Sequence, residues 1–211
     1  SATETHDAIR QLEKIAGERH LTLLFTEHDM DVVFSIAQKI AVLHQGRIIA
    51  DGKPAAVARN RDVVTAYLGD AEAAAPVNVA RLRPNRQAQA EATPLLRLEG
   101  VRSGYGGGIV LDGVDMIVRP GEVVALLGRN GVGKTTAMRT ITGVLPASGG
   151  RIEFDGAEIA ALRADEINRR GVSLVPEGRR LFLNLTVVEN LKRAMRPGGA
   201  TQEEIFDLFP R

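Results

Sequence analysis

The 211-residue chain has no cysteine, which excludes disulfides and thiolate-ligated metal sites and agrees with a reducing compartment. It has no excess of either charge, since 27 Lys and Arg stand against 26 Asp and Glu for a net +1. Nothing in that balance points to nucleic acid or a membrane surface. No apolar run is long enough to cross a bilayer; the longest are strand-sized, such as Val123 to Leu127. The first residues, Ser-Ala-Thr-Glu-Thr-His, are no signal peptide and include no initiating Met, so we expect a piece of something longer. What is present, 44% hydrophobic and 25% charged residues, suits a globular protein of one or two domains.

The most informative stretch is Gly128-Arg129-Asn130-Gly131-Val132-Gly133-Lys134-Thr135-Thr136. It follows an apolar run and fits the spacing Gly-x-x-x-x-Gly-Lys-[Ser/Thr] of a phosphate-binding loop. Glycines let the backbone close around an anion, successive N–H groups point inward, and the helix expected from Lys134 adds its positive dipole end. Lys134 then reaches the β and γ phosphates of a nucleotide, and the Thr135 hydroxyl is placed to hold Mg²⁺.

Along the chain, residues 4 to 18 read as an amphipathic helix, Leu21 to Thr26 as a short buried strand, and the stretch from Asp29 as a helix burying Met30, Val33, Ile36 and Ala37. Strands follow at Ile40 to Leu43 and Arg47 to Ala50, then a short helix opened by Pro54 and another near Asp62 to Leu68. Residues 70 to 94 lack any sustained apolar period and read as a linker. Strands are expected at Leu96 to Glu99, Val110 to Val118, Glu122 to Leu127, Arg151 to Phe154 and Val172 to Val175. Helices are expected from Lys134 to Gly143, at Ala164 to Arg169, Val187 to Ala194 and Glu203 to Leu208.

These motifs resemble a family, the ATP-binding subunits of ABC transporters, and among them those of branched-chain amino acid importers. Residues 95 to 211 carry Gly-Tyr-Gly, the phosphate loop, Val-Pro-Glu-Gly-Arg-Arg and Leu-Thr-Val-Val-Glu-Asn-Leu, and look like the N-terminal half of one subunit. Residues 1 to 69, with Thr-Glu-His-Asp-Met and a closing Ala-Tyr-Leu-Gly, look like the C-terminal end of its sister. The resemblance implies an α/β fold: a P-loop NTPase core of RecA type with an antiparallel β subdomain, here incomplete. It implies that Tyr105 stacks on adenine and that Thr136 helps hold the α phosphate. It further implies that His28 is the switch histidine at the γ phosphate. Glu177 stands where most members have a glutamine that meets Mg²⁺ and the attacking water; a glutamate keeps an oxygen ligand but adds negative charge. His6, His20 and His44 have no comparable setting. The implied ligands are ATP and Mg²⁺. The implied partners are membrane permease subunits, a second ATPase domain and, indirectly, a periplasmic binding protein, at the cytoplasmic face of the inner membrane.

Hydrolysis in this family also needs an Asp ending a further apolar strand, a catalytic Glu after it, and a Leu-Ser-Gly-Gly signature. None is in this sequence; Ser148-Gly149-Gly150 lies in a turn and opens no helix. We therefore expect a fusion of two sister subunits seen as an internal fragment that binds nucleotide and hydrolyses little. A linker of about 25 residues spans about 25 to 30 Å. In the sheet of the family it resembles, the switch-histidine strand lies beside the phosphate-loop strand, and such a linker reaches far enough, so strand 21 to 26 is expected beside strand 122 to 127 with His28 within about 15 Å of Lys134. A DNA-repair ABC protein and a non-hydrolysing nucleotide-binding module are the rival readings.

Overall fold

A computed structural model describes residues 11, 14–27, 30–68, 92–178, 181–195 and 199–208. It divides into two compact units, residues 1–173 and 174–211. Much of the first unit is organised around one short strand, Val123–Leu127, whose run of β-branched and aliphatic residues is almost wholly buried, as a strand flanked on both edges and covered on both faces must be.

In chain order, α1 covers residues 14–18, followed by β1 (Leu23–Phe25), α2 (Met30–Ile36), β2 (Lys39–His44) and β3 (Arg47–Gly52). Then come α3 (Pro54–Val57) and α4 (Arg61–Leu68). The chain resumes with β4 (Leu96–Tyr105), β5 (Gly108–Val118), β6 (Val123–Leu127), α5 (Lys134–Ile141), β7 (Gly149–Phe154), β8 (Ala157–Glu158) and α6 (Ala164–Arg169). The second unit contains α7 (Val187–Ala194) and α8 (Gln202–Leu208).

Two four-stranded sheets result, as expected for a RecA-type core with an antiparallel subdomain. The first runs β1-β6-β2-β3, with β1 and β2 parallel to β6 and β3 antiparallel to β2. The expected docking is therefore present, with Leu23 opposite Val123 and Phe25 opposite Ala125. The second sheet, β5-β4-β7-β8, is wholly antiparallel. Its β4-β5 hairpin turns over Gly106 and Gly107, whose φ values of 56° and 84° are those of a two-residue turn that needs glycine. Leu98, Val101, Leu111, Met116 and Ile152 point from this sheet into one apolar cluster with Leu43 and Leu126 of the other. Val33, Ile40, Val42 and Val57 form a second cluster with Ala125 and Leu127.

One expected strand is absent. Residues 172–175 make no strand, and Val175 is 85% exposed. Val-Ser-Leu-Val has strand composition, but a strand exists only where a neighbour accepts its backbone, and no described strand pairs with it. The proposed helix over residues 4 to 18 is confirmed for 14–18, its first residues lying outside those described; most of the linker stretch also lies outside them.

Candidate phosphate-binding site

The loop Gly128 to Gly133 joins the carboxyl end of β6 to the first turn of α5, the edge where parallel sheets place ligands. Gly128 is required by space as much as by conformation, whereas at Gly131 the space is open. A Cβ at Gly128 would sit 2.6 Å from the Leu43 carbonyl oxygen and 2.5 Å from Val132 Cγ2. At Gly133, with φ 112°, it would meet Leu111 Cδ2 at 2.9 Å. Gly133 is also the N-cap of α5 and supplies no side chain to occupy the first helical amides. Between them Arg129, Asn130 and Gly131 are exposed and Val132 is half-buried.

Lys134 donates to the loop carbonyls of Gly128 at 2.5 Å and Arg129 at 3.1 Å, so its ammonium lies inside the curve of the loop. Partial burial holds its pKa below the ordinary lysine range. An ammonium short of solvent gains from an arriving anion, which would replace the lost hydration. The next two residues divide their tasks by burial. Thr135 is exposed in the first turn, whereas Thr136 is buried under the helix. Among the described residues no group of three His, Asp or Glu side chains could hold a metal ion. A cation here would be met by the Thr135 hydroxyl, with water and phosphate oxygens as the ligands Mg²⁺ commonly keeps beside nucleotides. Loop, ammonium and hydroxyl fit a nucleotide triphosphate with Mg²⁺.

Tyr105 stands at the tip of the β4-β5 hairpin, 46% exposed. The Arg139 guanidinium donates to its hydroxyl at 3.1 Å, and this contact, with the Thr136 hydroxyl, lowers the phenol pKa. One turn further in, Thr140 Oγ1 donates to the fully buried Ser103 at 2.8 Å. α5 and β4 are thus pinned in register by an exposed and a buried polar pair, and the Tyr105 ring is tied to the helix that carries Lys134.

The structure brings Tyr105 and residues 128 to 136 into one unit. Glu177 belongs to the second unit, exposed in an irregular stretch before Gly178. His28 lies outside the described residues. Sequence reasoning missed Leu43 and Arg139. Leu43 meets the loop through its backbone carbonyl, which leaves no composition signal. Arg139 follows Thr136 by three positions and so shares its face of α5, a spacing that could have marked it.

In the second unit, α7 is started by a reciprocal cap: Glu189 N donates to Thr186 Oγ1 at 3.3 Å and Thr186 N to Glu189 Oε2 at 2.8 Å. Asn190 fastens the preceding turn, donating from Nδ2 to the carbonyls of Phe182, Leu185 and Thr186 and accepting from Phe182 N at 3.0 Å. The Leu-Thr-Val-Val-Glu-Asn run therefore encodes a helix start.

Among known proteins, the family described as ABC transporter matches residues 111–209, and that described as branched-chain amino acid ATP-binding cassette transporter matches residues 47–73. The high-affinity branched-chain amino acid transport ATP-binding protein BraG of Pseudomonas aeruginosa is 38% identical over 126 residues, 56% of this chain and 52% of BraG. BraF of the same organism is 40% identical over 98 residues, 46% of this chain and 38% of BraF. A ribose import ATP-binding protein, RbsA 1 of Rubrobacter xylanophilus, is 38% identical over 104 residues, 49% of this chain and 21% of that protein. The chain spans about half the length of BraG. A crystal structure of a nucleotide-free ATP-binding cassette from an ABC transporter aligns at 29% identity with a TM-score of 0.44, over 56% of this chain and 49% of that one.

Proposed function

Since the chain belongs with the ATP-binding proteins of ABC transporters, we propose that it binds MgATP at the Gly128 to Thr136 loop and derives from a subunit that powers import of branched-chain amino acids. The observation that carries the nucleotide reading is the loop itself. It is a cradle whose Gly128 leaves no room for a side chain and whose Gly133 takes a φ of 112°, closed by a partly desolvated Lys134 at the start of a helix. The solute reading rests on the second family match and on BraG and BraF. The ribose and xylose importers among the relatives are about as similar, at 38% identity over about half of the chain, and point to another solute.

In this reading the loop amides and the α5 dipole hold the phosphates, and Lys134 exchanges its two carbonyl partners for phosphate oxygens. Thr135 offers its hydroxyl to Mg²⁺, which would neutralise charge between the β and γ phosphates. Tyr105 presents an aromatic face to the adenine while Arg139 holds its hydroxyl. His28 and Glu177 are assigned to the γ phosphate, the latter with Mg²⁺ and the permease contact. Residues 1 to 69 and 95 to 211 are assigned to two successive ATPase domains joined by residues 70 to 94, at the cytoplasmic face of the membrane. A second ATPase domain and the permease subunits are the expected partners. With no general base or signature in this sequence, binding proceeds without appreciable turnover.

Calorimetric titration with MgATP and with inorganic tripolyphosphate tests this. Both should bind, ATP more tightly, and Lys134→Ala should weaken both by at least about tenfold, the loss of one charged partner. Failure of the unaltered chain to bind either ligand overturns the reading; phosphate release at rates typical of an ATPase overturns its hydrolytic half.

A further inference from the structure

The sheet that carries the phosphate loop is assembled from two stretches of chain distant in sequence. Both strands flanking β6 come from residues before 69, and the contact extends over the whole strand. At its entry, Gly121 N donates to Thr22 Oγ1 at 2.8 Å and Leu23 N to the Glu122 carbonyl at 2.9 Å. Gln38 binds Val123 twice, its N–H to the Val123 carbonyl at 2.9 Å and its Oε1 from Val123 N at 3.2 Å. Further out, Lys39 Nζ donates to the Ile117 carbonyl and Asp112 N to the Gly46 carbonyl at 2.9 Å. At the exit, the Leu43 carbonyl closes against Gly128 and the Leu43 side chain reaches Gly133. Each apolar cluster draws on both stretches: Ala41 and Leu43 enter the one built mainly from residues 96 to 167, and Ala125 and Leu127 enter the one built mainly from residues 33 to 57.

We propose that the residues up to 68 act toward the rest of the first unit as a docked subunit does. They would add a strand to each edge of β6 and set the phosphate loop through Leu43, held by a non-covalent interface that outlasts the covalent connection. The interface has what strand addition requires, continuous backbone pairing on both edges of the receiving strand and buried side chains on both faces. Ile40, Ala41 and Val42, all fully buried, are its centre.

The test cuts the folded chain. A recognition sequence for a specific protease is inserted after Asn85, the full chain is purified, and cleavage is followed by gel filtration. The two pieces should elute together in equal amounts, and tripolyphosphate affinity should stay within about threefold of that of the uncut protein. Separation of the pieces overturns the proposal. So does unchanged affinity in the larger piece after the smaller is stripped away in mild urea and the denaturant is removed. The affinity readout rests on the nucleotide reading above, whereas co-elution does not. An uncut chain that binds no phosphate would thus remove the first and leave the second decisive.

Discussion

α5 and α7 are both eight residues long, and they are helical for different reasons. α5 begins at a glycine, has no side-chain cap and includes three threonines or β-branched residues in its interior. It is held by tertiary contacts: Thr136, Ala137, Thr140 and Ile141 are buried against β4, β5 and their neighbours. α7 has the better local start, a reciprocal Thr186–Glu189 cap and the Asn190 staple, and buries nothing. No described residue from 174 to 208 is buried, and Leu183 is 96% exposed. The first unit illustrates a helix selected by its surroundings, the second a helix selected by its own residues.

The largest effect should come from a charge at the centre of the first unit. Val42→Asp places a carboxylate with no partner among Ile40, Val57, Ala125 and Leu127. It should cost more than about 4 kcal/mol. Urea unfolding should lose its main transition while hydrogen exchange in α7 stays as it was; protection in α7 falling in step would show that the two helices do not differ as described.

A smaller effect is expected for Thr186→Ala, which removes the cap of α7. Helix stability there should drop by about 1 kcal/mol, seen as faster exchange of the amides of Val187 to Glu189, with the urea midpoint of the first unit unchanged. A shift of that midpoint would tie α7 to the core.

The smallest concerns the polar pin of α5. The chain has two tyrosines, so in a Tyr67→Phe background the ultraviolet absorbance of the phenolate reports Tyr105 alone. The Arg139 guanidinium lowers its pKa, so Tyr105 should ionise below the ordinary value of about 10, and Arg139→Ala should raise it. Because a depressed acid stabilises only where it is ionised, this part of the stability is present above about pH 10 and lost as pH falls through the folded value. Stability at pH 7 should therefore change little, and an unmoved titration would show that the pin does not form in solution.

Legibility in the sequence followed the same division. The helix starting at Lys134 and the helix at Val187 to Ala194 are local, and spacing and periodicity sufficed to expect them; the Thr186–Glu189 cap, equally local, was not singled out. The pairing of 21 to 26 with 122 to 127 was inferred from resemblance, and no periodicity could have supplied it, because the partner of a strand is not written in the strand. Val172 to Val175 shows the converse, strand-like residues that make none for want of a described neighbour. Leu43 was invisible as a support of the loop because it acts through its carbonyl, which every residue has. Ser103 and Thr140 were passed over because a hydroxyl inside an apolar face gives no sign of its partner until the two elements are in register.

The place of β6 between β1 and β2 has a consequence for synthesis. Gln38 and Val123, which share two hydrogen bonds, are 85 residues apart. At about 5 to 20 residues per second, β2 leaves the ribosome roughly 4 to 17 s before the strand it must join. During that interval Ile40, Ala41 and Val42 lack β6, the strand against which they pair and pack here, and an edge left waiting is open to other strands. A newly made chain is thus most exposed to misassembly in the seconds before its phosphate loop exists, and a chaperone that binds extended apolar segments would find its substrate at residues 39 to 44.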